Sequence, residues 1–282
     1  MQDYPTNIVR RQKSAISDYS LNVLHLRNPL VVAWWSLVYP GFGHIREVSI
    51  AKGMFLFIGE LLINTLSHLN LAIMYSFTGN FAMAKKVLDI HLLLIYCGIL
   101  IFAVWDSYRI ALEMNKMSVL ADHEDAPLVP MVIGSGGLNA YEKRSPWVAL
   151  AWSVFVPGAG HLYSMALLPA VFLMVGGAVI IYFSHLLPAV HYTMLGQFAL
   201  AKQAVDWQWL LNVPSFYCFA IYDAYVKTVE YNKIFDREQA QFMRNEYQSP
   251  LFPTRALETG GSGRNNQMMR RLHHVRGGFF SL

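Results

Sequence analysis

Residues 21–116 and 138–233 carry one segment twice, in a single unbroken register offset by 117. Leu21-Asn22 recurs as Leu138-Asn139, Arg27 and Pro29 as Arg144 and Pro146, and Trp35-Ser36 as Trp152-Ser153. Pro40-Gly41-x-Gly43-His44 recurs as Pro157-Gly158-x-Gly160-His161, and Ser67-His68 as Ser184-His185. Asp106-x-Tyr108, Glu113 and Asn115-Lys116 recur as Asp223-x-Tyr225, Glu230 and Asn232-Lys233. About a third of the positions are identical. Self-similarity at one fixed offset marks a duplicated and fused unit. Any fold for this chain has to house two related bodies.

Charge is scarce and unevenly spread. Of the residues, 14% are charged and 55% apolar, against about 25% charged in an ordinary soluble domain. Residues 54–77 hold one acid, Glu60, and 87–105 only Asp89, while 165–201 and 207–222 hold no charged residue. A helical membrane span takes roughly 20 apolar residues, so four spans are expected, at about 53–77, 90–112, 165–189 and 207–229. The chain reads as an all-α multi-pass membrane protein. The first apolar stretch begins near Pro29, behind Arg10, Arg11 and Lys13, which reads as no cleavable signal peptide. Cys97 and Cys218 fall in spans at unrelated repeat positions and read as small buried hydrophobes.

Each repeat also has a short apolar segment, 29–45 and 146–163, ending in the Pro-Gly-x-Gly break. Proline removes a backbone donor and glycine loosens the helix, so the break belongs at an interface or against protein. If this segment crosses, the chain has six spans and inverted repeats. If it only dips in, there are four spans and parallel repeats about a pseudo-two-fold axis normal to the membrane. The parallel plan leaves Lys85, Lys86 and Lys202 outside and the other 19 basic residues inside, whereas the inverted plan divides them 15 to 7. The positive-inside rule favours the parallel plan, with both termini cytoplasmic.

The expected organisation is a polar N-terminal segment 1–20 leading into an interfacial helix through Ile16 to Leu26, then repeat 21–116. A Gly/Pro joint at 117–137 follows, then repeat 138–233 and a basic, disordered tail at 234–282. The tail, with Arg264, Arg270, Arg271 and Arg276, suits anionic lipid headgroups. No basic surface with a stacking platform points to nucleic acid.

Trp-Ser-x-x-x-Pro-Gly-x-Gly-His, with Tyr163 two residues after His161, resembles the Pro-Gly-x-Gly-(His or Gln)-x-Tyr pattern of TM2-domain-like bacterial membrane proteins. The resemblance covers about 29–60 and 146–177, and Arg46 stands where the first copy would carry the tyrosine. It implies a multi-pass protein of the bacterial cytoplasmic membrane and no particular chemistry.

Three constellations could carry function. His44 and His161, beside Pro40, Gly41, Gly43 and Pro157, Gly158, Gly160, are expected as interfacial hydrogen-bonders, with Trp35, Tyr39, Trp152 and Tyr163 in the headgroup layer. Asp106, Arg109 and Glu113, and likewise Asp223, Lys227 and Glu230, share one helix face with the cation between two acids. His68 and His185 could pair with Asp89 and Asp206 across a hairpin. No phosphate loop, zinc-protease helix or nucleophile elbow is present, and no cofactor is implied. The leading expectation is a non-enzymatic scaffold or accessory subunit binding other membrane proteins. A small transporter built on Asp106, Asp223 and the histidines, and a metalloenzyme centred on His44, His161, His68 and His185, are the alternatives.

Overall fold

A computed structural model describes residues 13–16, 21–47, 49–124, 126, 131–134, 137–140 and 142–248. Arg10, Arg11, Asp125 and the arginine-rich tail lie outside them. Residues 1–236 make one compact unit and 237–282 a second, in which Phe242 packs edge-on to Tyr247. The described residues are mostly helical, with two short hairpins.

The first half opens with a short antiparallel hairpin, β1 (Ser14–Ile16) and β2 (Leu21–Val23), where an interfacial helix was expected. Helix α1 (Pro29–Val38) starts on a proline at its first turn, with Asn28 capping Leu30 N–H, which is where proline costs no hydrogen bond. It stops at Tyr39-Pro40. Gly41 at φ 103° turns the chain into α2 (Phe42–Arg46). Helix α3 (Ile50–Ser67) breaks at His68, which takes a left-handed φ of 54° before α4 (Leu69–Phe77). Helices α4 and α5 (Phe81–Val87) pack together, and α6 (Ile90–His123) returns along the unit.

Adding 117 reproduces most of these boundaries. Hairpin β3 (Met131–Gly134) and β4 (Gly137–Ala140) keeps the β1–β2 register, Ser14↔Val23 answering to Met131↔Ala140. Then come α7 (Pro146–Phe155), α8 (Ala159–Tyr163), α9 (Leu167–Phe183), α10 (Leu186–Met194) and α11 (Phe198–Ala204). Within the expected joint at 117–137, residues 117–123 belong to the end of α6 and 131–134 to β3; 127–130 lie outside the described residues. The segment expected as the last span, about 207–229, is split into α12 (Trp207–Leu210) and α13 (Asn212–Tyr247), and neither is among the helices long and apolar enough to cross a membrane. Pro214 cannot donate to the carbonyl of residue 210, and the helix parts there.

Among the described residues two helices, α3 and α6, are long and apolar enough to cross a membrane. Helices α9 and α10, bent by 61° at Ser184-His185, form a third candidate if they act as one. Cys97 and Cys218 are exposed on the outside of the bundle rather than buried.

The core lies where the halves meet. Trp35, Tyr39, Phe42, Ile45 and Phe57 of α1–α3 pack on Leu173 and Ile180 of α9 and on Phe216, Phe219 and Ala220 of α13. Phe42 stacks on Phe219 with ring centroids 4.0 Å apart, and Trp35 meets the same ring edge-on at 5.4 Å. Trp35 and Tyr39 are thus core residues, not headgroup anchors, while Trp152 is exposed. The two halves contribute different faces to this junction, so their relation is head-to-tail. A two-fold arrangement would bury equivalent residues on both sides.

Candidate functional site

The motif histidines are placed by local backbone. In each half the left-handed glycine (Gly41, Gly158) lies against the start of the following long helix: a Cβ there would run into the carbonyl oxygen of Gly53 or Ala170. The second glycine (Gly43, Gly160) backs onto the carbonyl oxygens of Val32 and Ala149 in the preceding helix. Only glycine permits both approaches. The next residue, histidine, is driven inward and fully buried.

There His44 Nε2 meets Asp106 Oδ2 at 3.0 Å, and His161 Nε2 meets Asp223 Oδ2 at 2.9 Å. Both pairs span 62 residues and tie a short motif helix to the third long helix of its half. Each aspartate also holds a cation. Asp106 takes Lys52 and, at 2.8 Å, Arg109; Asp223 takes Lys227 at 3.1 Å. The opposite ring nitrogen, Nδ1, of both histidines is buried without a hydrogen-bond partner among the described residues.

A second contact closes the mouth of each short hairpin. Arg27 Nη1 donates to the Arg46 carbonyl at 2.6 Å, and Arg144 Nη1 to the Tyr163 carbonyl. The backbone of each arginine is bracketed by an asparagine side chain: Asn115 with Arg27, at 2.8 Å both ways, and Asn232 with Arg144, at 2.9 and 2.7 Å. The chain therefore enters α1 and leaves α2 at the same end of the bundle, and does the same through α7 and α8.

The two acid–cation–acid faces separate. Arg109 bridges Asp106 and Glu113, the latter at 2.9 Å on the surface. Lys227 reaches Asp223, whereas Glu230 is buried at the junction between the halves, facing His25 at 2.8 Å, Arg27 at 3.4 Å and Arg46 at 3.5 Å. Burial alone would push the Glu230 carboxyl up; Arg27, the His25 hydrogen bond and Arg46 outweigh it and hold it below the usual glutamate range. Arg46 also donates to Tyr222 Oη at 2.6 Å. Arg27, Arg46, Glu47, Lys227 and Glu230 line a cavity of about 20 Å³ here, room for about one water.

His68 and His185 do not pair with Asp89 and Asp206. Both histidines are exposed at left-handed breaks, while the aspartates cap the next helices, Asp89 accepting from His91 and Leu92 N–H and Asp206 from Gln208 and Trp209 N–H. Among the described residues no three His, Cys, Asp or Glu side chains gather as a metal set.

Sequence reasoning passed over the network at the far end of the junction. Asn64 Nδ2 donates to buried Glu60 at 2.9 Å, Gln208 Nε2 to Asn64 Oδ1 at 2.8 Å, and Asn70 Nδ2 to the Gln208 carbonyl at 3.0 Å. Its repeat counterparts are Gly177, Ile181, Leu187 and His91, so comparing the copies gives no sign of it. Lys52, whose counterpart is Pro169, escaped notice for the same reason. The His–Asp pairs did leave a signal, two polar positions repeated at one constant separation. No family model, no curated protein and no solved structure matches this chain.

Proposed function

We propose that the chain is a non-enzymatic scaffold of a membrane complex: two parallel units, four spans, and two short helical hairpins that enter and leave the bilayer on the cytoplasmic side. The observation that carries this reading is the pair of closed His–Asp–cation clusters. The most strongly repeated polar side chains bind one another, and their work is to hold the short hairpin against the third long helix. A bacterial cytoplasmic membrane, as in the TM2-domain-like proteins, is the setting this architecture suits.

The contacts between the halves favour parallel units. At one end Arg27 and Arg46 of the first half meet Tyr222 and Glu230 of the second. At the other, Asn64 and Asn70 meet Gln208. Each end of the first unit thus faces the matching end of the second, whereas inverted units would bring unlike ends together. The Arg27–Arg46 and Arg144–Tyr163 closures favour hairpins that dip in and return, giving two spans per unit.

Single-cysteine reporters at Glu124 and Ser281, in a Cys97→Ser, Cys218→Ser background, test the plan. Both should resist an impermeant thiol reagent until cells are opened. Labelling at 124 alone from outside would make the units inverted. Glu60 and its amide network are what favours the second reading, a transporter. Purified protein in liposomes should pass no proton or sodium current. A current removed by Glu60→Gln would replace the scaffold with a transporter.

A further inference from the structure

The junction between the halves is head-to-tail, and such an interface leaves its two complementary faces unused at the ends. The first half contributes Trp35, Phe42 and Ile45. Their counterparts Trp152, Ala159 and Leu162 lie on the outside of the second half, Trp152 54% and Leu162 47% exposed. The second half contributes Phe219 and Tyr222 of α13. Their counterparts Phe102 and Trp105 lie on the outside of α6, 44% and 58% exposed. Part of each side of the internal interface is thus present a second time, without the other; Leu56 and Ala103, the counterparts of Leu173 and Ala220, are buried within the first half.

The polar clamp is duplicated in the same way. Inside the chain, Arg27 sits 3.4 Å from Glu230 across the junction. The counterparts are Arg144 and Glu113. Arg144 keeps its closure on Tyr163 and turns its other nitrogen to Glu142, an exposed neighbour two residues away. The Glu113 side chain is 55% exposed and among the described residues pairs with Arg109. A cation and an anion, each held among the described residues by neighbours of its own half, therefore stand beside the two aromatic faces. The side chain of Arg144 is 16% exposed, and Lys52 and Arg109 lie 5.4 Å over the Phe102 and Trp105 rings.

We infer that this surface docks a second copy of the chain: the α7–α8 face of one molecule seats on the α6 face of the next, with Arg144 bound to Glu113 across the contact. The protein is then a homo-oligomer in which every unit, within and between chains, repeats one interface. Matched charge separates this from an apolar face that merely meets lipid. The inference goes beyond the scaffold reading and rests on the repeat correspondence, not on the sidedness of the spans. Inside the chain Phe42 stacks on Phe219, so Ala159 of one molecule should lie beside Phe102 of the next.

Two tagged chains, one carrying Ala159→Cys and the other Phe102→Cys, are co-expressed without the native cysteines and oxidised in native membranes. A disulfide-linked heterodimer is expected. Val154→Cys with Phe102→Cys is the control, since Val154 and its counterpart Leu37 are both outside the junction and exposed. Cross-linking no stronger than this control overturns the inference. Glu113→Arg, on a surface side chain that leaves the fold intact, should reduce the wild-type oligomer to monomer in mild detergent. Combining it with Arg144→Glu should restore it. An oligomer unchanged by Glu113→Arg, or a swap that restores nothing while the chain stays folded, also overturns it.

Discussion

Asp223 and Asp106 occupy one repeat position and hold one histidine each, yet removing their charge should have unequal consequences. Asp223 is fully buried, and so is His161; the cation it neutralises, Lys227, is itself only 8% exposed. Asp223→Asn keeps the size and a hydrogen-bonding oxygen but strands Lys227 in a poorly solvated site. Breaking a buried pair from one side costs about 3–5 kcal/mol. Asp106 is as buried, but Lys52 and Arg109 have side chains 40% and 45% exposed and can turn to solvent. What Asp106→Asn loses is a hydrogen bond to a charged group and two screened ion pairs, about 1–2 kcal/mol.

The gap of about 2 kcal/mol is more than a tenfold difference in the unfolding equilibrium, since about 1.4 kcal/mol is one decade. Reversible unfolding of both variants in mixed micelles, followed by far-UV circular dichroism over a titration with denaturing detergent, reads it directly. Equal losses, or a larger loss at Asp106, would show that the cations do not set the cost. The account of both clusters would then fail.

Gly41→Ala and Gly158→Ala place a Cβ at φ 103° and 94° against the backbone of α3 and α9. The left-handed backbone alone costs about 1–2 kcal/mol, so both should lower the thermal midpoint in detergent, while Gly79→Ala, in open space, should lose only the backbone part. For Glu230 the sign follows from its folded pKa, held below the usual 4.5 by Arg27, His25 and Arg46 against the upward push of burial. Its stabilisation is complete above that value and fades as pH falls through and below it. Stability measured from about pH 6 to about pH 3 should therefore decline less steeply in Glu230→Gln than in wild type. Parallel curves would remove Glu230 from the junction's electrostatics.

The duplication is plain in the sequence because the residues that terminate and clamp helices cannot drift. Proline, glycine, histidine, aspartate and asparagine at those points are each needed by backbone geometry or by a buried partner. The hairpins β1–β2 and β3–β4 escaped because their pairing is carried by backbone; over residues 14–20 and 131–137 only Ile16 and Ile133 agree. Trp35 and Trp152 misled for the opposite reason. They are identical, yet one is in the core and one is outside, because burial depends on which face the other half covers. The His44–Asp106 pairing was within reach, since both partners repeat at one separation. The local spacing of Asp106, Arg109 and Glu113 drew attention to the helix face instead.

A ten-residue helix such as α1 is about 15 Å long, half the thickness of a hydrocarbon core. It can lie within a bilayer only if its broken end meets protein rather than lipid. The repeated residues supply such contacts at two places. At the mouth, Arg27 with Asn115 and Arg144 with Asn232 fasten the strand entering the hairpin to the carbonyl leaving it. At the tip, His44 with Asp106 and His161 with Asp223 anchor the turn to the neighbouring long helix. Asp89 and Asp206 restart that helix after the far-end break. Glu113 lacks the role its twin performs, since Glu230 locks the two halves together. Glu113 pairs on its own surface with Arg109, and the proposed contact between molecules would give it the partner that Glu230 finds in Arg27.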